Sequence, residues 1–316
     1  MGEPQTLRLS TVAFDIIALG EPLYELNLQP DGRFLPGFGG DTSNAVIAAA
    51  RLGARTAYVT RLGADMFGEA IMELWRAEAV DSSAVSFEAD APTGLYFVTH
   101  TAQGHVFTYR RAGSAASLMM PADLPESMIA EAKFLHASGI SMAISASASA
   151  TVTRAIAIAR AAGARVSFDT NFRPKLWTAE TAWPVIRAAA AEADILKTSE
   201  EDSRALFGIS EPRGIARRFL DLGCKTVLVT LGSHGVLAAT SQSYDIVPGF
   251  PVAAIDATGA GDAFTGALLC ELARGQTLHD AVRFANAAAA LSTLGYGAIA
   301  PLPRRTAVEA FMRTQS

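Results

Sequence analysis

Two short segments, one near each end of the chain, carry residue types whose spacing suits phosphate and polyol chemistry. In Asp256-Ala257-Thr258-Gly259-Ala260-Gly261-Asp262-Ala263-Phe264 a strand-like run ends, two glycines free the backbone and a helix begins at once. Free N–H groups at a helix N-terminus, with the positive end of its dipole, suit a phosphoryl group, and glycine allows close backbone approach. Asp262 stands in that first turn, where it opposes a bound phosphate while gaining only about 0.3–1 kcal/mol from the dipole. A general base explains the acid better; the plainer alternative is a helix-capping acid after a Gly-rich turn. The second segment, Gly37-Phe38-Gly39-Gly40-Asp41-Thr42-Ser43-Asn44, is again a Gly-rich turn entering a helix, with Asp41 or Thr42 able to cap it. A cap needs one polar residue. Here Asp41, Ser43 and Asn44 crowd one turn beside backbone exposed by Gly39 and Gly40, a hydrogen-bonding patch of the kind a polyhydroxy ligand needs.

Competing signatures fail when counted out. No G-x-x-x-x-G-K-[ST] occurs. The dinucleotide pattern needs a Gly or Ala three residues after Gly261, and that position is Phe264, so a nicotinamide-dependent oxidoreductase is the runner-up. His100, His105, His136, His234 and His279 show no metal-ligand spacing, and Gly232-Ser233-His234-Gly235 is not a nucleophile elbow.

The elements that must position these segments follow from hydrophobic period. Short apolar runs (Phe14 to Leu19, Thr56 to Thr60, Phe134 to Ala137, Val166 to Asp169, Ile195 to Lys197, Val227 to Thr230) alternate with helical patterns. The helices are expected at Thr42 to Leu52, Met66 to Ala79, Ser149 to Ala162, Ala179 to Ala191, Glu211 to Leu222 and Ala260 to Arg274. Such repetition predicts an α/β fold, a doubly wound, mostly parallel sheet with helices on both faces. Glu21 to Phe34, and Thr93 to Arg111 with a turn at Ala102-Gln103-Gly104, break the rhythm and read as antiparallel strands, a small β lid inserted from about 21–36 and 92–112. Leu95 and Phe97 alternate with Tyr96 and Val98, so both lid faces should be covered, one by ligand and the other by a second subunit. The expected state is a homodimer or higher homo-oligomer.

The whole chain reads as one domain over 1–316, without repeat, linker or long charge run. Hydrophobic residues at 50% and charged residues at 18% exclude disorder, and Lys+Arg 26 against Asp+Glu 31, without a basic stripe, sets nucleic acid aside. No apolar run is long enough for a membrane span, and the stretch Val12 to Leu19 is interrupted by Asp15. The start Met1-Gly2-Glu3-Pro4-Gln5-Thr6 fits the loose myristoylation pattern, a pattern short enough to recur by chance. Cys224 and Cys270 lie in apolar segments, which fits a reduced, cytoplasmic protein.

Together the two Gly-rich segments resemble the PfkB (ribokinase-like) family of carbohydrate kinases, over nearly the whole chain. The family signature D-T-x-G-A-G-D is similar to Asp256 to Asp262, with Ala257 in the second position. The resemblance implies a ribokinase-like fold with a β lid over the sugar, and ATP-dependent phosphorylation of a sugar hydroxyl, with ATP and Mg2+ as cofactors and a monovalent cation such as K+ left open. Four further stretches look most like 2-keto-3-deoxygluconate kinase: Thr93-Gly94-Leu95-Tyr96, Phe107 to Arg111 followed by Ser114-Ala115-Ala116, Leu135 to Ser141, and Phe168 to Trp177.

That likeness implies that Gly40, Asp41, Asn44, Tyr96, Tyr109, Arg173 and Asp262 contact a sugar acid, with phosphate transfer to its terminal primary hydroxyl. Strand alternation puts Phe107, Tyr109 and Arg111 on one face and Arg110 on the other, so Arg111 is preferred as the lid arginine. Asp262 is the implied base, and backbone N–H groups of Ala260 and Gly261, with Gly259, the implied cradle for the phosphoryl group. In Thr198-Ser199-Glu200-Glu201-Asp202, Ser199 and Asp202 replace the family's N-x-x-E; Asp202 remains able to order magnesium-bound water. The implied nucleotide side comprises Ser199, Thr230, Gly232, Ser233 and Gly235 of the turn Leu231 to Gly235, then Gly259, Gly261 and Asn286 near the adenine. A simple hairpin connection is an equal reading of that turn. Fructokinase- or ribokinase-type kinases, and a sugar-responsive binding protein on a dead kinase fold, are the remaining alternatives.

Overall fold

A computed structural model describes residues 13–101 and 104–315; the N-terminal myristoylation pattern, Val12 and the expected lid turn at 102–103 lie outside them. The first half of the chain gives β1 (Phe14–Leu19), β2 (Leu23–Leu28), β3 (Phe34–Gly39), α1 (Asp41–Arg51), β4 (Thr56–Gly63), α2 (Met66–Ala77), β5 (Val80–Asp81), β6 (Val85–Glu88), β7 (Leu95–Thr101), β8 (Gly104–Arg110), α3 (Glu126–Ala130), β9 (Ala132–Ser138), α4 (Gly139–Ala143) and α5 (Ala146–Ala162). The second half gives β10 (Arg165–Asp169), α6 (Ala179–Ala191), β11 (Ile195–Ser199), α7 (Glu200–Phe207), α8 (Pro212–Leu220), β12 (Thr226–Thr230), β13 (Val236–Thr240), β14 (Tyr244–Val247), α9 (Ala260–Ala273), α10 (Leu278–Ser292) and α11 (Arg305–Thr314).

Strand order in the main sheet is β14-β13-β12-β11-β10-β9-β1-β4-β5, with β6 also on β4. It is parallel from β12 to β5, while β13 and β14 close the far edge antiparallel. Period-2 alternation splits its side chains between two cores. Ile16 and Ala18 of β1 face α1, α2, α9 and α10, whereas Ile17 and Leu19 face α5, α6 and α8. Order reverses at β1, whose neighbours are β4 on one side and β9 on the other. The crevice beyond the strand C-termini at such a reversal is where open α/β sheets bind ligands.

The lid is a second sheet in the order β3-β2-β7-β8. Here the structure corrects two expectations. Gly37 to Gly39, read as part of a turn, belong to β3, which pairs antiparallel with β2. The run before Asp256 is not a strand; its backbone is irregular and is pinned by Ile255 N and Asp256 N donating to Thr293 O. The inner lid face buries Tyr96 and Val98 with Leu23. On the outer face Phe34 meets Phe97 edge to face with centroids 5.6 Å apart, and Phe34 and Val106 are exposed, so among the described residues this part of the face is uncovered.

Local chemistry sets several ends. Helix α5 starts three residues before the expected Ser149, because the Ser145 hydroxyl caps it by accepting from Ala148 N. Thr178 caps α6 in the same way. Gly266 in α9 lies so close to the backbone of α1 that a Cβ there would overlap Ala45 O and press on Ala48. That approach carries the first turn of α1 against the first turn of α9.

Candidate active site

The crevice begins at Gly39 and Gly40. A Cβ on Gly39 would lie 2.7 Å from the Tyr96 hydroxyl, and one on Gly40, whose φ is +106°, would lie 2.5 Å from Glu21 O. These glycines let the lid and β1 close on the start of α1, rather than exposing backbone as their sequence alone indicated. From that start Asn44 Nδ2 donates to Asp262 Oδ2 at 2.8 Å, and Asp41 Oδ2 accepts from Asn171 Nδ2 at 2.7 Å. Asn171, in the loop after β10, has φ +32°, a conformation Asn tolerates better than most residues. Asp41 Oδ1 and Asn44 Oδ1 are buried without a hydrogen-bond partner among the described residues. Unpaired acceptors are costly unless a ligand hydroxyl serves them, which is the fit expected of a polyol.

Asp262 lies in the first turn of α9. Burial, with Asp41 beside it, pushes its carboxyl up to about 7 against the opposing pull of the Asn44 hydrogen bond and Lys197. A carboxylate held near neutrality suits proton abstraction from a hydroxyl. Gly259, at φ +75°, turns the chain into α9; the Ala260 amide donates to Ala257 O and the Asp262 amide to Gly259 O. Of the expected cradle of Gly259, Ala260 and Gly261, the Ala260 amide is thus engaged within the turn, while those of Gly259 and the exposed Gly261 have no backbone partner among the described residues.

Tyr96 and Tyr109 meet across β7 and β8 with ring centroids 5.7 Å apart, Tyr96 buried and Tyr109 39% exposed. The Tyr96 hydroxyl donates to Glu25 Oε2, and burial with that carboxylate raises the phenol far above its ordinary range. Of the two lid arginines, Arg110 is exposed and bonds only the carbonyl of Tyr109 among its described contacts. Arg111 turns inward, lies 5.7 Å from the Tyr109 ring and ion-pairs with Glu21, whose side chain is fully buried and also accepts from Ser114 Oγ at 2.5 Å. Burial pushes Glu21 up, Arg111 pulls against it. Arg173, half exposed, donates to Phe172 O and stands 3.9 Å from Asp202 Oδ1.

Asp202 Oδ2 accepts from Thr170 Oγ1 at 3.0 Å and Phe172 N at 3.1 Å, so this acid braces the β10 loop; burial and Asp169 raise its carboxyl. No group of three His, Cys, Asp or Glu among the described residues forms a metal cage. The set fits a metal brought in with phosphate and water, toward which Asp202 would offer its second oxygen. Ser199 caps α7 by accepting from Asp202 N, and Thr230 Oγ1, opposite Ser199 in the sheet, donates to Thr198 O. The turn at Gly232 to Gly235 joins β12 to antiparallel β13, so it is a hairpin connection, with Ser233 exposed and Gly235 at φ +101° packed on β14. Asn286 of α10 holds that corner by donating to Val247 O and Pro248 O.

Sequence reading missed a second layer. Asp169, the last residue of β10, and Lys197, in the middle of β11, form a buried ion pair at 2.7 Å, and Glu21, Glu25 and Asn171 bond residues of the lid and α1. The signal was present in outline, since a charged residue closing an apolar strand at the sheet's C-terminal edge is where ligands are bound. Both free cysteines are buried, and the buried His136 bonds Ser167 Oγ.

A buried carboxyl in the first turn of a helix, entered through a left-handed glycine and lying with a polar second sheet near a sheet reversal, is an arrangement suited to group transfer on a small polar molecule. The chain belongs to the pfkB family carbohydrate kinases, whose model matches residues 10–305. Fructokinase-2 of Solanum habrochaites is 36% identical over 93% of this chain and 94% of its own. The 2-dehydro-3-deoxygluconokinase of Thermoproteus tenax is 34% identical over 87% of each. Fructokinase from Vibrio cholerae, solved with fructose, ADP and calcium, superposes with a TM-score of 0.84 at 32% identity over 95% of this chain and 99% of that one. Membership makes the protein a phosphotransferase on a sugar hydroxyl and removes the nicotinamide alternative. No helix among the described residues is long and apolar enough to cross a membrane.

Proposed function

We propose that the protein transfers the γ-phosphoryl group of ATP to the terminal primary hydroxyl of 2-keto-3-deoxygluconate, giving 2-keto-3-deoxy-6-phosphogluconate. The observation that carries this reading is the pair of arginines, Arg111 turned inward beside Tyr109 and Arg173 half exposed on the β10 loop next to Asp202, in a crevice that also holds the base. A planar guanidinium matches a carboxylate with two parallel hydrogen bonds, a match a neutral sugar does not use. Gly40, Asp41, Asn44, Tyr96 and Tyr109 would then bind hydroxyls and the keto group, while Asp262 takes the hydroxyl proton and the Gly261 amide meets the moving phosphoryl. Magnesium, ordered through water by Asp202, supplies neutralisation of phosphate charge when bound. Ser199, Thr230, Gly232, Ser233, Gly235, Gly259 and Asn286 would line the nucleotide end. Lid closure keeps competing water out.

A second reading, a fructokinase-type acceptor, is favoured by the Glu21–Arg111 pair, which leaves that arginine already neutralised, and by the similarity to fructokinases. Initial rates of ADP release with 2-keto-3-deoxygluconate, its galactonate-derived epimer, fructose and ribose separate the two. The keto acids should give the higher kcat/KM; faster turnover of fructose or ribose would replace the first reading with the second.

The uncovered outer face of the lid fits a second copy in two-fold symmetry, the commonest homo-oligomer. Light scattering at micromolar protein should give at least twice the 33.1 kDa chain mass, and a strictly monomeric mass would reject this pairing.

A further inference from the structure

The helix end that should cradle a phosphoryl group is short of donors. With the Ala260 and Asp262 amides bonded within the turn, Gly259 and Gly261 are left among the described residues to offer their N–H groups there, while Asp41, Asp169, Asp202 and Asp262 put four carboxylates around the same space. One cation enters it from below. Lys197, the third of the five residues of β11, has an 11% exposed side chain, and its Nζ lies 3.4 Å from where a Cβ on Gly261 would stand. A side chain at 261 would start in contact with that ammonium, and glycine leaves the space beside it free. Burial works against its charge, yet Asp169 beside it and Asp262 across from it keep Lys197 protonated above its ordinary range.

A purely structural pair is the plainer account. Buried ion pairs, however, are frequently no more stable than apolar replacements of similar volume, so stability is a weak reason for one here. The position of this pair is the stronger clue, because it joins the last residue of β10 to the middle of β11 with the lysine near the start of α9.

We propose that Lys197 is a catalytic residue whose ammonium contacts the phosphoryl group in transit, completing with the Gly261 amide the cradle that α9 begins. The inference rests on the phosphoryl-transfer reading above, and not on which sugar is the acceptor. In the step, the bond from the acceptor oxygen to γ-phosphorus forms and the bond from γ-phosphorus to the bridging oxygen breaks, its electron pair leaving on ADP. The acceptor proton passes to Asp262, and Lys197 keeps its own proton throughout. Asp169 positions the ammonium.

Lys197→Met alone leaves Asp169 buried and unpaired, so loss of activity in it would be ambiguous. The double variant Lys197→Met, Asp169→Asn replaces the ion pair by neutral groups of similar size and keeps the fold testable by thermal melting. With whichever sugar the unmutated protein turns over fastest, kcat of the double variant should fall about 10²–10³-fold, the loss typical of removing one transition-state donor. Affinity for a non-hydrolysable ATP analogue should drop about tenfold while ADP affinity stays within about twofold, as expected for a contact to the γ-phosphoryl alone. Lys197→Arg, which keeps the charge, should recover part of kcat. A folded double variant with kcat within about threefold of the unmutated protein and an unchanged ratio of the two affinities, well short of the expected loss, overturns the role of Lys197. An unmutated protein that neither binds ATP nor turns over any sugar of the panel overturns instead the reading on which it rests.

Discussion

The two ends of the crevice are built by different means. At the proposed sugar end, side chains hold one another: Asn44 binds Asp262, Asn171 binds Asp41, Glu21 binds Arg111, and Glu25 takes the Tyr96 hydroxyl. At the proposed nucleotide end the work is mostly done by backbone, with Gly235 packed on β14 and Asn286 tying down Val247 O and Pro248 O. A site made of mutually bonded side chains is specific and intolerant of single changes, because each loss orphans a buried partner. A site made of backbone turns tolerates side-chain variety, provided the turns survive.

This contrast orders the expected effects of mutation. The largest belongs to Asp262→Asn, which keeps the Asn44 contact but cannot accept a proton; kcat should fall about 10²–10⁴-fold. In the unmutated protein kcat/KM should rise with pH through about 7, as the base loses its proton. Stability moves the other way. A carboxyl raised above its unfolded value contributes most to stability below that value, and the contribution is lost as pH rises through about 7. Asp262→Asn should therefore raise the melting temperature, and by more at pH 8 than at pH 5. Retention of over a tenth of kcat, less loss than general-base removal gives, would make Asp262 a cap.

Next comes Gly266→Ala. The added methyl has no room against Ala45 O, so α9 must move off α1 and carry Asp262 from Asn44. Overpacking of this kind costs about 1–3 kcal/mol, and denaturant unfolding together with a kcat loss of about tenfold, roughly what a 1 Å misplacement removes or less, would show it. Unchanged stability would mean that the helices are not in the contact described.

Arg173→Lys probes acid selectivity, and is a cleaner probe than Arg111, whose loss would strand Glu21 at a cost of about 3–5 kcal/mol. KM for the keto acid should rise about tenfold with a smaller change in kcat, as loss of bidentate geometry predicts, and any turnover of neutral sugars should be unaffected. An equal rise for fructose would remove the carboxylate from Arg173. The smallest effect is expected from Asn286→Ala, a few-fold rise in KM for ATP with the sugar KM unchanged, since it acts through carbonyl positions alone; a change in sugar KM would break the division between the two ends.

How far these features could be read beforehand follows the same division. Asp41, Asn44 and Asp262 stand in polar clusters next to glycines, and the central strands β1, β4, β9, β10, β11 and β12 announce themselves by apolar runs, because each is buried on both faces. Strand β3 did not, since Phe34-Leu35-Pro36-Gly37-Phe38-Gly39 carries the residues of a turn and is held as a strand by pairing with β2. The Asp169–Lys197 pair and the Glu21–Arg111 pair were hidden for another reason: their partners are 28 and 90 positions apart in a 316-residue chain, and only strand order brings them together. Engagement of the Ala260 amide was likewise invisible until the loop geometry was known.

The most direct test of the account is the product itself. Protein, ATP and magnesium are incubated with 2-keto-3-deoxygluconate, and the phosphorus spectrum of the mixture is recorded. The account predicts a new phosphomonoester coupled to the two protons of the terminal methylene, formed together with ADP in equal amounts. ADP without an ester, an ester at a secondary hydroxyl, or no reaction under conditions in which fructose is phosphorylated would contradict it.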